Sequence, residues 1–317
     1  MVDVCCLGIL VADVTVASVD TLPQKGKLNF ADKIMLSVGG CAANTAIDLE
    51  KIGIKTSVIG KVGLDDFGNY ILDNLSKEGV DIKGIEVSND ATSAAIVVVN
   101  SKGERSFIHC PGSNGTFNIN DVNLSIVKDA KILFIAGALL MPKLDGIPTA
   151  EILKEAKEAG VYTALDTTWD AKGRWMEDIE PCLRYLDLFI PSIEEAKEIS
   201  GKDDIEQMAD VFLQRGVSLC VIKNGKKGCY IKSKSGDELS IPCYDRIKAK
   251  DTNGAGDSFV AGFLTGILNG WDLEQCGRFA NAVGAYCVSA HGASSGIQSK
   301  NNILYFMDEY KKGNDII

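Results

Sequence analysis

The feature that most constrains this chain is the alternation of short apolar runs with longer amphipathic ones. VDVCCLGILV, KTSVIGKVG, KILFIAG, VYTALD, LDLFIP and SLCVIK read as strands. Between them, ANTAIDLEKIG closes on Gly53 and FGNYILDNLSKEGV on Gly79, both with apolar residues at helical spacing. TAEILKEAKEAG, SIEEAKEISG and IEQMADVFLQRG follow the same pattern further on. Strands that alternate with helices imply an α/β fold: a doubly wound, mostly parallel sheet with helices on both faces.

Two segments interrupt the rhythm. Residues 14–38 contain TLPQKGKL and a polar-apolar mixture without helical period. TSAAIVVVNSKGERSFIHC reads as a hairpin turning at Asn100-Ser101-Lys102-Gly103. Together, about 14–38 and 92–110 are expected to form a small β-sheet lid beside the main domain. A third β-like patch, GCYIKSKSGDELSIPCY, reads as a hairpin within the main domain. With no repeat, low-complexity tract or linker, residues 1–317 are expected to form a single domain carrying that lid.

Composition narrows the function classes. A net charge of −10 argues against a nucleic-acid backbone or an anionic membrane as partner, although a local pocket of donors can still hold a small anion. The ten cysteines include no C-x-x-C pair and sit mostly in apolar runs, as reduced core thiols of a cytoplasmic protein would. The apolar run at Val2 lacks the basic lead of a secretory signal, and no apolar run reaches the ~18 residues of a membrane helix. The two histidines, His109 and His291, rule out a His-rich metal site and leave few ways to build a Ser-His-Asp triad, so a general base should be a carboxylate.

DTNGAGDSFVAGFL, residues 251–264, carries the chemistry. Phe259, Val260, Phe263, Leu264, Ile267 and Leu268 are apolar at helical spacing, which puts Gly254, Ala255, Gly256 and Asp257 at a helix N-terminus. Amides there lack intrahelical partners, the dipole is positive, and small residues let an anion approach. Such an anion hole suits a phosphoryl group gaining charge during transfer, with Asp257 beside it to accept a hydroxyl proton. Alone, the stretch reads equally well as a tight turn with a first-turn acid, and Asp251 as a loop-capping one. G-x-x-x-x-G-K-[ST] is absent, Gly8 stands alone after the first strand, and Phe259 occupies the last glycine of a G-x-G-x-x-G, so the P-loop and dinucleotide readings weaken.

GGCAANTAIDLEKIGIKTSVIGKVG, residues 39–63, adds a second signature, with Gly39, Gly40, Asn44, Gly53 and Gly63 at the right spacing. With DTNGAGD it resembles the ribokinase-like (PfkB) family of sugar and nucleoside kinases over about residues 3–311. The resemblance implies a ribokinase-like fold and transfer of the ATP γ-phosphoryl group to a sugar hydroxyl, with Mg²⁺. It gives Asp257 the role of base and Gly254–Asp257 that of anion hole. Asp13, Gly39, Gly40 and Asn44 match the family's substrate side. Lys223, Gly225 and Gly228, in the run Lys223–Gly228, and Asn281 match its nucleotide side.

Some positions depart from the pattern. Ser192 stands where the family usually has Asn before a Glu, here Glu195, which weakens the expected phosphate and water-mediated Mg²⁺ network. Asn253 stands where Thr is commoner. K⁺ held by the loop of Asp251 and Asn253 and by AHGASSG is a further expectation. On the lid, Arg105, His109 and Asn114 are candidates to meet the substrate. The alternatives are a nucleoside kinase, for which Phe30 and Phe107 are the aromatic candidates, and a sensor that kept the fold without transfer. An NAD-linked oxidoreductase lacks its fingerprint. An open lid edge would favour pairing of two chains into a homodimer.

Overall fold

The computed structural model describes residues 2–101 and 104–313; Lys102 and Gly103, and with them the tip of the hairpin, lie outside the described residues, as do the side chains of Arg105 and Phe107. The chain starts in β1 (Val2–Gly8) and crosses directly to a separate sheet through β2 (Val11–Ala17) and β3 (Lys33–Gly39). It returns through α1 (Cys41–Ile52), β4 (Thr56–Gly63), α2 (Asp66–Lys77) and β5 (Asp81–Ser88). The small sheet is completed by β6 (Ala94–Val99) and β7 (Arg105–Cys110). Then follow α3 (Leu124–Lys128), β8 (Ala130–Ala138), α4 (Ile147–Glu158), β9 (Tyr162–Thr167), α5 (Met176–Leu183), β10 (Leu188–Phe189), α6 (Ile193–Ser200), α7 (Ile205–Gln214) and β11 (Leu219–Lys223). The hairpin β12 (Cys229–Ser233) and β13 (Glu238–Ile241) precedes α8 (Ala255–Leu268), α9 (Leu273–Val288) and α10 (Lys300–Lys311).

Nine strands form the main sheet in the order β13-β12-β11-β10-β9-β8-β1-β4-β5. All neighbours from β11 to β5 are parallel, and the β12–β13 hairpin adds an antiparallel edge. Both faces are covered. Along β1, Val4 and Cys6 enter one core with residues of α1, α8, α9 and α10, whereas Cys5 and Leu7 enter another with α4, α5 and α7. This double burial is why VDVCCLG shows no polar alternation. Fully buried residues such as Phe134, Phe189 and Phe263 each contribute about 1.5–3 kcal/mol of hydrophobic stabilisation. All ten cysteines are free, and seven of them are buried.

The small sheet has the order β3-β2-β6-β7, with β2 and β6 parallel and the two outer pairs antiparallel. Three boundaries differ from the sequence reading. VDVCCLGILV is not one strand: it breaks at Ile9-Leu10, where the chain leaves the main sheet, and β2 begins at Val11 rather than near residue 14. Residues 18–32 form no strand, since the Pro, Gly and Lys of TLPQKGKL supply neither alternation nor a face to bury. LDLFIP contributes only Leu188–Phe189 to the sheet.

Because β1 is flanked by β4 on one side and β8 on the other, the winding reverses there. In open α/β sheets the crevice beyond the carboxyl ends of the strands at such a point is where ligands bind. No helix among the described residues is long and apolar enough to cross a membrane.

Candidate active site

The floor of the crevice is the N-terminus of α8. Gly254 is its N-cap at φ +76°, and a Cβ there would meet the Ala293 Cβ and carbonyl oxygen at 2.6 Å, so only glycine fits. Ala255, Gly256 and Asp257 form the first turn, where amides lack intrahelical acceptors. Asp257 is half-buried and faces α1: Asn44 Nδ2 donates to its Oδ2 at 2.8 Å, and Thr45 Oγ1 donates to its carbonyl at 3.5 Å. Burial raises the Asp257 carboxyl above its usual value, against the opposing pull of the Asn44 hydrogen bond and the Lys223 ammonium. Packing of α1 on α8 thus joins the two signature stretches into one site.

One wall comes from the small sheet. Asp13 lies in β2, in register with Ser37 of β3 and Ala95 of β6, and Ala95 is in register with His109 of β7. Side chains paired across a sheet share a face, so Asp13 and His109 lie on one side of it. Gly39 packs against Asp13 so closely that a Cβ would lie 2.1 Å from its Oδ2, and Gly40 follows as the N-cap of α1. Burial pushes Asp13 up to about 6, with the Asp257 charge adding to the shift. Arg105 belongs to β7, but its side chain, like that of Phe107, is outside the described residues. Asn114 is not on this wall. It is 1% exposed, and its side chain bonds the backbone N–H and C=O of Leu10, bracing the crossing from β1 to β2. Phe30 is 90% exposed on the irregular 18–32 segment, away from any packed cleft.

Opposite lies a cavity of about 770 Å³, lined among others by Ser192, Lys223, Gly225, Gly228, Gly256 and Asn281. Gly225 opens and Gly228 closes the turn after β11. Asn281 donates to the carbonyls of Ile241 and Pro242, each at 3.2 Å. Ser192 caps α6 in a capping box with Glu195, and Glu195 Oε2 also accepts from Thr167 Oγ1 at 3.0 Å. Ser192 therefore replaces an amide with a helix cap and still lines the cavity.

The sequence reading missed Asp166. This acid at the end of β9 is 3% exposed and forms an ion pair with Lys223. Burial raises Asp166 to about 7 despite Lys223, whereas the neighbouring Asp166 and Glu195 charges overcome burial and hold Lys223 above the usual lysine value. The contact between the two groups makes the ion pair the resting form. Lys223 also reaches α8: a Cβ on Gly256 would lie 3.6 Å from its Nζ. The signal was available, because an acid closing an apolar parallel strand sits at the crevice edge.

The loop of Asp251 and Asn253 packs on AHGASSG. Asp251 Oδ1 accepts from Asn253 N and its Oδ2 from Gly292 N, and the Asn253 and Ala293 carbonyl oxygens both lie within 3.2 Å of Cys287 Sγ. Among the described residues, no cluster of three or more His, Cys, Asp or Glu side chains forms a metal cage.

The description "pfkB family carbohydrate kinase" matches a family model over residues 1–300. The chain belongs to the pfkB family of carbohydrate kinases. Among the relatives of this kinase, an uncharacterized sugar kinase of Archaeoglobus fulgidus is 30% identical over 249 residues, covering 78% of this chain and 97% of that protein. The 2-dehydro-3-deoxygluconokinase of Bacillus subtilis is 26% identical over 297 residues, covering 90% of each. Among solved structures, Arabidopsis thaliana ribokinase complexed with ribose and ATP superposes with a TM-score of 0.85 at 25% identity, over 96% of this chain and 98% of that one. The fold is ribokinase-like, and this pfkB kinase is a phosphotransferase acting on an alcohol group.

Proposed function

We propose that this carbohydrate kinase transfers the γ-phosphoryl group of ATP to a hydroxyl of a small sugar, with Asp257 as base. The observation that carries the reading is the position of Asp257, at the N-terminus of α8 between the Asp13 wall and the 770 Å³ cavity. Asp13, Gly39, Gly40, Asn44, His109 and Arg105 serve the sugar side. Lys223, Gly225, Gly228, Asn281 and Ser192 serve the nucleotide.

The acceptor hydroxyl gives its proton to the Asp257 carboxylate as its oxygen bonds to the γ-phosphorus. The bond from phosphorus to the bridging oxygen breaks, and ADP leaves. Amides of Gly254–Asp257 and the Lys223 ammonium receive the charge on the transferring oxygens without having to reorganise. The Asp166 and Glu195 carboxylates flank Lys223, which fits a site holding Mg²⁺ through water, as one or two carboxylates plus phosphates do. When bound, Mg²⁺ neutralises charge on the phosphates. K⁺ held by backbone oxygens of the Asp251–Asn253 loop and of the AHGASSG segment, which pack together, is part of the same reading. Closure of the small sheet as a lid would exclude water.

Sugar rather than nucleoside is supported by the names of the relatives. The outer face of the lid, with Leu36, Val14, Ile96 and Ile108 in one register row, would be covered by a second copy in a homodimer. The free cysteines are those of a cytoplasmic enzyme. The test is ADP release from Mg-ATP, with and without K⁺, across ketoses, aldoses, sugar acids, phosphosugars and nucleosides. Turnover with nucleosides alone would contradict the sugar reading.

A further inference from the structure

The loop that follows β9, residues 168–175, is built rigidly around an exposed indole. Trp169 is 58% exposed, and its ring packs edge-on against Trp175 with centroids 5.0 Å apart at 80°. Asp170, two positions before Lys172, is 5% exposed and turns its carboxylate inward, accepting backbone N–H bonds from Lys172, Arg174 and Trp175 at 2.7, 2.5 and 2.9 Å. Trp175 itself has φ +37° and, just across the edge, Leu139 has φ +81°. Strained backbone of this kind persists where the surroundings hold a segment for a purpose.

The loop is also anchored to the active site. Thr167 Oγ1 donates to Glu195 at 3.0 Å, and Thr168 bonds the Ala138 carbonyl through both its N–H, at 3.0 Å, and its Oγ1, at 2.9 Å. Ala138 ends β8, and a Cβ on the preceding Gly137 would lie 3.5 Å from Cys41 Sγ. Cys41 opens α1, one turn before Asn44, the side chain that donates to the Asp257 carboxylate. The loop therefore lies across the open end of β8, on the side of the crevice where the acceptor must meet Asp257. Packed on Trp175 along one edge and 58% exposed, the Trp169 indole keeps a face free to meet a ligand.

We infer that Trp169 is a wall of the acceptor site and stacks its indole face against the C–H face of a sugar, selecting a carbohydrate acceptor over a smaller or more evenly polar alcohol. The inference rests on the kinase reading, which supplies the acceptor. An aromatic face meets C–H bonds through dispersion and its negative π-cloud, and it needs no hydrogen bond to do so. Hydroxyls on the opposite edge of the sugar remain for Asp13 and Asn44.

The test uses the full chain and the best acceptor found in the panel above. Trp169→Ala should raise the acceptor KM about tenfold and leave the ATP KM within about twofold, with Trp169→Phe keeping most of the affinity. Without ATP, the acceptor should change the intrinsic fluorescence of the wild-type chain and leave that of Trp169→Ala largely unchanged. Trp271 sits beyond the far end of α8, roughly 15–20 Å from Asp257 at 1.5 Å per residue, and serves as an internal reference. Thermal unfolding of both variants reports whether the loop survives; since Trp169 is exposed, no large change is expected. Unaltered acceptor KM in a folded Trp169→Ala overturns the inference and leaves the kinase reading standing. Silence of the whole panel in both turnover and fluorescence overturns the sugar-kinase reading, and the role of Trp169 with it.

Discussion

Asn44 and Asp257 stand 213 residues apart in the chain and share a hydrogen bond of 2.8 Å. The bond exists because α1 and α8 pack their N-terminal turns together on one face of the sheet. It favours the ionised form of Asp257, which burial disfavours. Asn44→Ala removes that donor. Hydrogen bonds to charged groups contribute about 1.5–3 kcal/mol, so turnover should fall about 10- to 100-fold. A carboxyl must be ionised to accept a proton, and losing the donor raises the Asp257 pKa further. The acid limb of the pH profile of kcat/KM should therefore move to higher pH; a profile that stays in place with unchanged turnover would contradict the pairing.

Gly254→Ala tests the anion hole. The new Cβ needs φ +76° and meets Ala293 at 2.6 Å, so α8 must start elsewhere or Ala293 must move. Strain of this kind costs about 1–3 kcal/mol. A lower melting temperature with a raised ATP KM is expected, and a variant with normal kinetics would show that these amides do not meet phosphate.

Asp48 gives a pH dependence of stability. It is fully buried in α1, one turn beyond Asn44; Ser258 Oγ donates to its Oδ2 at 2.5 Å, and its Oδ1 has no partner. Burial pushes its carboxyl up to about 8 from 3.8. The folded chain thus binds a proton that the unfolded chain has released, so Asp48 lowers stability progressively as pH rises from about 4 to about 8. Asp48→Asn, neutral throughout, should melt at a higher temperature than wild type near pH 8, with the difference vanishing toward pH 4. Parallel melting curves at every pH would contradict a buried, titrating Asp48.

Much of this architecture could be read from residues, and the limits have physical causes. The parallel sheet was legible because doubly buried strands such as KILFIAG are apolar throughout, and α8 was legible because GAGD precedes an apolar helix. The register that sets Ser37, Asp13, Ala95 and His109 in one row was not, since pairing between β2 and β6 is a long-range choice that no local pattern specifies. Asp166 and Asp48 were overlooked for the same reason: each looks like an ordinary acid until packing shows that Lys223 or Ser258 is its partner. Asn114 was misplaced because a polar residue after a hairpin reads as surface, whereas here it satisfies the backbone of Leu10.

The outer face of the lid predicts an association state. Ile34 is 69% exposed and Ile108 57%, on the face opposite Asp13 and His109. Ile108→Lys should turn a dimer into a monomer in sedimentation analysis. A wild-type chain that already sediments as a monomer would contradict coverage by a second copy.

The most direct test of Asp257 as base compares wild type with Asp257→Asn for ADP release from Mg-ATP and the best acceptor. Loss of a positioned base should slow turnover about 10²- to 10⁴-fold while ATP still binds. Turnover above about a tenth of the wild-type rate in Asp257→Asn would show that the proton leaves by another route.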